Sequence, residues 1–506
     1  MGAPRPPARQ GPPEPRRASV QGIAVTVLAM LCTACPTSSP QRQAPSPLAV
    51  EVDAQRIARH LSEAIRQPTI SLDNPEAFEA LRAWLPRAYP RIYATLEVEE
   101  IGRDSLLMHW RGSDPERSPY AFLAHLDVVP VETGSEALWE HPPFSGAVAA
   151  GYVWGRGAID DKGPAIAMLE AIESLLEAGY VPPRSLYLAL GGDEEVGGKQ
   201  GAGAIAGALE SRGVRLGFTL DEGMVIANGL VPDIDAPVAV IGVAEKGYMN
   251  LRLTAFQAGG HSSVPPAHTA AGRLAGALVR LEAQPLPASL EGPPLLSLQF
   301  LAPHMGILAR ASIAAYPLSR RLLLARYLGE PAMAAQVRTT TAITMLEAGI
   351  RPNVLPASAS AVVNFRIRPG ESADEVVAHV RDAVNDPEIS IEVLRASEAS
   401  PVSPVDGEGF RIVQRALAEV VPEALVIPGL VLGGTDSRHY VQLTDGAYRF
   451  APMRLGGSDV TRIHGSNERI SIANLVEMVR FYRRVIQLAD ASAPPSDGAE
   501  GKTEGP

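Results

Sequence analysis

Three short apolar runs in this chain stop abruptly at carboxylates or histidine, and no other feature restricts its fold as much. Residues 121–126 lead into His125-Leu126-Asp127, residues 185–190 into Gly191-Gly192-Asp193-Glu194-Glu195, and residues 216–220 into Asp221-Glu222-Gly223. Between the first two, residues 164–176 read as a helix with proline in its first turn. Ile57, Leu61 and Ile65 mark an earlier helix by their spacing. Strands alternating with helices specify an α/β sheet, whose reactive groups gather at the C-terminal ends of its strands.

The pattern changes near residue 240. Residues 248–256 read as a strand, 269–281 as a helix, and 341–347 and 359–367 as strands. Residues 372–384 form a helix with Ser372 and Glu375 at capping-box spacing, and 389–394 a last strand. That order is βαββαβ, a ferredoxin-like sandwich inserted into the α/β domain. The expected division is a catalytic domain at 50–240 and 396–489, interrupted by a lid at 241–395. Within the lid, 285–340 is a helix-like and unusually apolar elaboration, with Leu295, Leu296, Leu298, Phe300 and Leu301 close together and Leu322, Leu323, Leu324 and Leu328 after Arg320 and Arg321. It reads either as packing of an added helical hairpin or as an apolar wall beside a cleft.

Both cysteines, Cys32 and Cys35, lie near the N-terminus, so the folded body has no disulfide, zinc finger or cysteine nucleophile. Residues 1–35 read as a leader with basic residues before a short apolar run, resembling a lipoprotein signal with Cys35 as the lipidated residue. The context is therefore export to the cell envelope. Residues 36–49 read as a linker and 490–506 as a disordered tail. The formal net charge of −11 argues against general nucleic-acid binding, and no basic-aromatic interleaving appears.

His125 and Asp127 are two apart at a strand end, so both side chains point the same way and the acid can orient the imidazole. Gly155-Arg156-Gly157-Ala158-Ile159-Asp160-Asp161-Lys162-Gly163 is a glycine-rich turn with paired carboxylates ahead of a helix. Asp193-Glu194-Glu195 places acids together that repel one another unless cations neutralise them. Arg462-Ile463-His464-Gly465-Ser466-Asn467-Glu468-Arg469 brings a late histidine in a polar turn. Singly, each is an ordinary solvated loop. Together they fit a two-zinc site: His125 and Asp221 on one ion, Glu195 and His464 on the other, Asp160 bridging, and water completing each tetrahedron.

In order along the chain, His125-Leu-Asp127, Gly155-Arg-Gly-Ala-Ile-Asp160-Asp-Lys-Gly, Asp193-Glu194-Glu195-Val-Gly and His464-Gly-Ser-Asn-Glu-Arg resemble the motifs of the co-catalytic zinc peptidase and aminoacylase family, which includes carboxypeptidase S, aminoacylase-1, carnosinase and succinyl-diaminopimelate desuccinylase. Leu220-Asp221-Glu222-Gly223 and Gly434-Thr435-Asp436-Ser437-Arg438 are most similar to the carboxypeptidase S and N-fatty-acyl-amino-acid hydrolase branch. The resemblance implies two Zn²⁺ ions (with Co²⁺ or Mn²⁺ as substitutes) and Glu194 as general base, with Asp127 orienting His125. It makes His261, in Gly259-Gly260-His261-Ser262-Ser263, the substrate-polarising imidazole of the lid. Asn353 and Arg366 would grip a substrate carboxylate, with Gly434 and Thr435 beside them. The implied activity is hydrolysis of an amide or peptide bond next to a free carboxylate, in a peptide or an N-acyl amino acid, with a homodimer through the lid and membrane contact only at the N-terminal anchor. The rivals are deacylation or desuccinylation of a small metabolite, and an exported binding lipoprotein that keeps the fold without the chemistry.

Overall fold

The computed structural model describes residues 51–231 and 234–491. The leader at 1–35, the linker at 36–49 and residues 492–506 of the expected tail lie outside them. The first two residues of that tail do not belong to it. Asp490 and Ala491 finish the helix Ile472–Ala491, and the Asp490 side chain is buried against Tyr180, whose hydroxyl donates to it at 2.5 Å. Among the described residues, no helix is long and apolar enough to cross a membrane.

The larger layer is a mixed sheet. Its centre consists of parallel neighbours, in the spatial order Leu186–Gly191, Tyr120–His125, Thr219–Asp221 and Ala447–Arg449. Tyr120, Phe122 and Ala124 face one core, packed by the helices Lys162–Glu177 and Ile472–Ala491; Ala121 and Leu123 face a second core with the helix Ala202–Ser211. Burial on both faces explains why these strands are apolar throughout and become polar only past their ends. Pairing of His125 with Gly191 sets the strand ends level, so the segments following them meet on one rim. Lys162 is buried and joins the first helix to this rim: its ammonium donates to the carbonyls of Ala64 and Gln67 at 3.0 and 2.6 Å. That enclosure pushes its pKa down to about 7.

The lid is a four-stranded antiparallel sheet in the order Thr340–Ala348, Ser358–Ile367, Gly247–Phe256, Ile389–Ser397. With the helices Ala270–Ala283 and Ala373–Val384 on one face, the connectivity is the expected βαββαβ. Both bonds of the Ser372/Glu375 capping box form. The elaboration is four helices, Pro293–Leu301, Ile307–Ala314, Arg320–Leu328 and Pro331–Val337. Leu298, Ile313, Leu323, Tyr327 and Val337 form a small core of their own. Leu301 packs instead with Val238 and Ile427 of the catalytic domain, Phe300 meets Phe410 edge-on at 6.1 Å, and the Ser297 hydroxyl donates to the Pro428 carbonyl at 2.6 Å. Much of the apolar surplus is thus packing. Lys246, buried where the chain enters the lid, donates to the carbonyls of Ala335 and Arg338 at 2.8 and 2.6 Å and ties the end of the insertion to that crossing.

Candidate active site

His125 closes its strand with 1% of its surface exposed. Its Nδ1 lies 3.0 Å from the Asp127 carbonyl oxygen and 3.4 Å from the Asp127 carboxylate. A proton on Nδ1 satisfies those acceptors and leaves Nε2 as a ligand atom. Nε2 is 3.0 Å from Asp160 Oδ1, while Asp160 Oδ2 is 3.1 Å from His464 Nε2. One carboxylate thus spans two imidazoles, the placement expected of a bridging ligand. Glu195 Oε2 lies 3.2 Å from the same His464 nitrogen. Ligand atoms of His125, Asp160 and Glu195 all fall within 4.8 Å of one another.

Each donor is braced from behind. Glu468 accepts from the amides of Ile159 and Asp160 at 2.8 and 3.2 Å and from the Arg156 guanidinium at 2.7 Å, and Arg156 also donates to the His464 carbonyl at 3.1 Å. The glycine-rich turn and the late histidine turn are thereby fixed to each other across more than three hundred residues of chain. Asp127 does more than orient His125. Its carboxylate accepts from the amides of Glu194 and Glu195, each at 3.1 Å, and from the Ser71 hydroxyl at 2.5 Å, so it also shapes the turn carrying the expected base and ligand.

Asp221 ends its strand as expected but stands outside the His125, Asp160 and Glu195 group. Its two oxygens accept from the amides of Glu222 at 2.9 Å and Ser437 at 2.7 Å. Glu194 is next to Glu195, with Oε1 3.5 Å from the Arg438 guanidinium. Burial, reinforced by Glu195 and Asp160, pushes its pKa up to about 8. Asp161, Glu222 and Asp436 are likewise raised, by burial first and then by other acids of the cluster; burial also raises Asp221, against the hydrogen bonds it accepts from Ser437 and Glu222. Asp160 goes the other way: burial opposes its charge, but hydrogen bonds from His125 and His464 hold it below the usual carboxylate range. Burial would lower His125, yet the carboxylates of Asp127 and Asp160 raise it well above an ordinary imidazole. His464 rises to about 10 through its bonds to Asp160 and Glu195.

The residues fit metal. Two imidazoles with carboxylates are a donor set suited to Zn²⁺ and its neighbours. Glu195 Oε1, Asp161 Oδ1 and both oxygens of Asp436 are buried with no hydrogen-bond partner, a costly arrangement for so acidic a pocket. A dication relieves the mutual repulsion of such a cluster.

The lid residues are arranged differently. His261 lies in the short strand Gly260–His261, paired with Val354–Leu355, so that Asn353 is its neighbour; the Ser262 amide donates to the Asn353 carbonyl at 3.2 Å. Both residues are exposed, and the hydrogen bonds of the His261 ring go to Ser263 at 2.7 and 3.1 Å rather than to the metal-ligand cluster. Arg366 is half-buried and lies over the Tyr248 ring at 4.9 Å, with Arg395 over the same ring at 5.6 Å. Thr435 is committed elsewhere, its amide and hydroxyl both donating to buried Glu245 at 2.9 Å. A side chain at Gly434 would meet the Arg438 guanidinium at 2.6 Å, so this glycine makes room for an arginine that faces Glu194.

Sequence reasoning missed Ser71 and Arg438 as supports of the site; neither lies at a strand end or in a carboxylate pair. His439, which in sequence stands near the motif residues as a supporting candidate with no assigned partner, has Nε2 3.1 Å from the Gly197 carbonyl and steadies the turn after Glu195.

A carboxylate strung between two histidines, a buried acid beside it and a lid inserted in the α/β domain define a metal-dependent hydrolase of amide bonds. The chain belongs to Peptidase family M20/M25/M40, whose model matches residues 121–488. It is 40% identical over 458 residues to an N-fatty-acyl-amino acid synthase/hydrolase of Xenopus tropicalis, covering 88% of each chain. It is 35% identical over 441 residues to a probable carboxypeptidase S-like protein of Dictyostelium discoideum, covering 85% of this chain and 84% of the other. In fold it resembles a metallo-carboxypeptidase of Sulfolobus solfataricus, at TM-score 0.64 and 18% identity, over 86% of this chain and 99% of that one. Human carnosine dipeptidase 1 matches at TM-score 0.61 and 16% identity, over 87% and 97%.

Proposed function

We propose that the protein uses two divalent ions, zinc foremost, to hydrolyse N-acyl amino acids or small peptides beside a free carboxylate. The observation that carries this reading is Asp160 with one oxygen on each of two histidines, 3.0 and 3.1 Å away. His125 and Asp221 would hold one ion, Glu195 and His464 the other, and Asp160 both. When bound, the metals acidify water and polarise the scissile carbonyl. Glu194 takes a proton from the attacking water and returns it to the leaving amine. Arg366 and Asn353 hold the carboxylate, and His261 donates to the developing oxyanion. The N-fatty-acyl relatives and the apolar insertion favour hydrophobic acyl groups over small polar ones. Supporting its presence outside the cytoplasm, the leader carries Cys35 in a lipoprotein-like setting, and a homodimer through the lid would bring a second lid ribbon within reach of the site.

The test is hydrolysis of N-acyl amino acids of graded chain length and of a dipeptide panel, with and without chelator. Chelator-sensitive turnover that rises with acyl length supports the reading. Chelator-insensitive turnover, or a flat profile led by glycine-only substrates, overturns it. Arg366→Ala should raise KM for acids by about 10–100-fold and leave their amides nearly unaffected.

A further inference from the structure

The helices Ile307–Ala314 and Arg320–Leu328 carry apolar residues on their outward as well as their inward faces. Their inward residues, Ile313, Leu323 and Tyr327, are buried in the small core of the insertion. On the outside, Ile307 is 83% exposed, Leu308 85%, Leu318 93% and Leu322 68%. At helical spacing, Arg321, Leu322, Ala325 and Leu328 occupy the face turned away from Leu323 and Tyr327. Isolated exposed leucines are common, but a run of them on consecutive elements calls for a partner.

Charge says which partner. Residues 302–329 hold four arginines, Arg310, Arg320, Arg321 and Arg326, and no aspartate or glutamate, although the chain as a whole has a net charge of −11. All four are exposed. Arg320 approaches Glu291 only at 3.8 Å, and Arg310 and Arg321 have no ion-pair partner among the described residues. A second copy of the chain is a poor occupant, because a two-fold contact through this face sets arginines against arginines. An anionic lipid surface accepts both parts, with leucines entering the acyl boundary and arginines resting on the headgroups.

We propose that this helical hairpin is a membrane-docking surface for anionic phospholipid, separate from the N-terminal leader. Docking there would hold the lid against the phase from which long-chain acyl substrates partition.

The experiment uses the full chain with vesicles of phosphatidylcholine, with or without phosphatidylglycerol, reading the bound fraction by sedimentation at low and high salt. The leader is common to every variant, so differences report the hairpin. The parent should favour the phosphatidylglycerol vesicles and release them as salt rises. Arg310→Glu with Arg321→Glu should weaken that binding by at least about 30-fold. Leu308→Ser and Leu318→Ser together should weaken it as well, with hydrolysis of a short-chain N-acyl amino acid unchanged as the measure of an intact fold. Equal binding to neutral and anionic vesicles, or variants that bind like the parent, would overturn the proposal. So would a dimeric parent that the leucine variant converts to monomer, which assigns the face to a second copy.

Discussion

The rim of the parallel sheet and the ribbon of the lid hold their polar residues by different means. At the rim, His125, Asp160, Glu195 and His464 sit in mutual contact, and Asp127 and Glu468 fasten the turns beneath them through backbone amides. On the ribbon, His261 and Asn353 stand exposed, with the imidazole bonded to its neighbour Ser263. The rim holds its charged groups in mutual contact, whereas the ribbon leaves its polar residues facing solvent. Fixed polar contacts and exposed polar residues are divided between the two domains.

Substitutions can break that division. Asp160→Ala removes the carboxylate shared by both histidines and should abolish metal retention and turnover together, by more than about a thousandfold; metal content and rate measured on one preparation check it. Glu194→Gln should leave metal content intact and cut kcat by about 10²–10⁴-fold, since only proton transfer is lost. Near-normal turnover of that variant would reassign the base. His261→Ala should lower kcat by about 10²-fold with little change in KM or metal content, as for an oxyanion donor. Were it to lose metal, the ribbon would belong to the rim after all.

The smallest effect tests the other end of the sheet, where Asp490 packs against Tyr180. Burial raises the pKa of Asp490 to about 6, above its value in an unfolded chain, against the opposing effect of the Tyr180 hydroxyl. The folded state therefore binds the proton more tightly, and this group's contribution to stability falls as pH rises from about 4 to 6. Asp490→Asn should remove that dependence and stabilise the protein at neutral pH by about 2 kcal/mol, seen as a smaller loss of Tm between acid and neutral buffer.

The rim was legible in sequence because strand ends print their chemistry locally. An apolar run followed by His125 and Asp127, or by Glu194 and Glu195, names both the element and its functional tip. The lid's sandwich was legible for the same reason, down to the Ser372 capping box. The motif around Thr435 gives composition without direction. Only the fold shows that its hydroxyl turns back to Glu245 while Arg438, three residues on, faces Glu194. Asp490 was assigned to the tail because alanine and proline follow it, and nothing local announced that Tyr180 would bury it. Partners distant in sequence leave no local trace.

The insertion's foothold on the catalytic domain has a mechanical consequence. Two chain crossings alone would let the lid swing as on a door hinge. Here Phe300 against Phe410, Leu301 against Val238 and the Ser297 bond to Pro428 add an attachment besides the two crossings, and Lys246 anchors the insertion's other end beside the crossing. A swing of the lid would have to bend the insertion or loosen its aromatic foot, so this segment would act on such a movement as a spring.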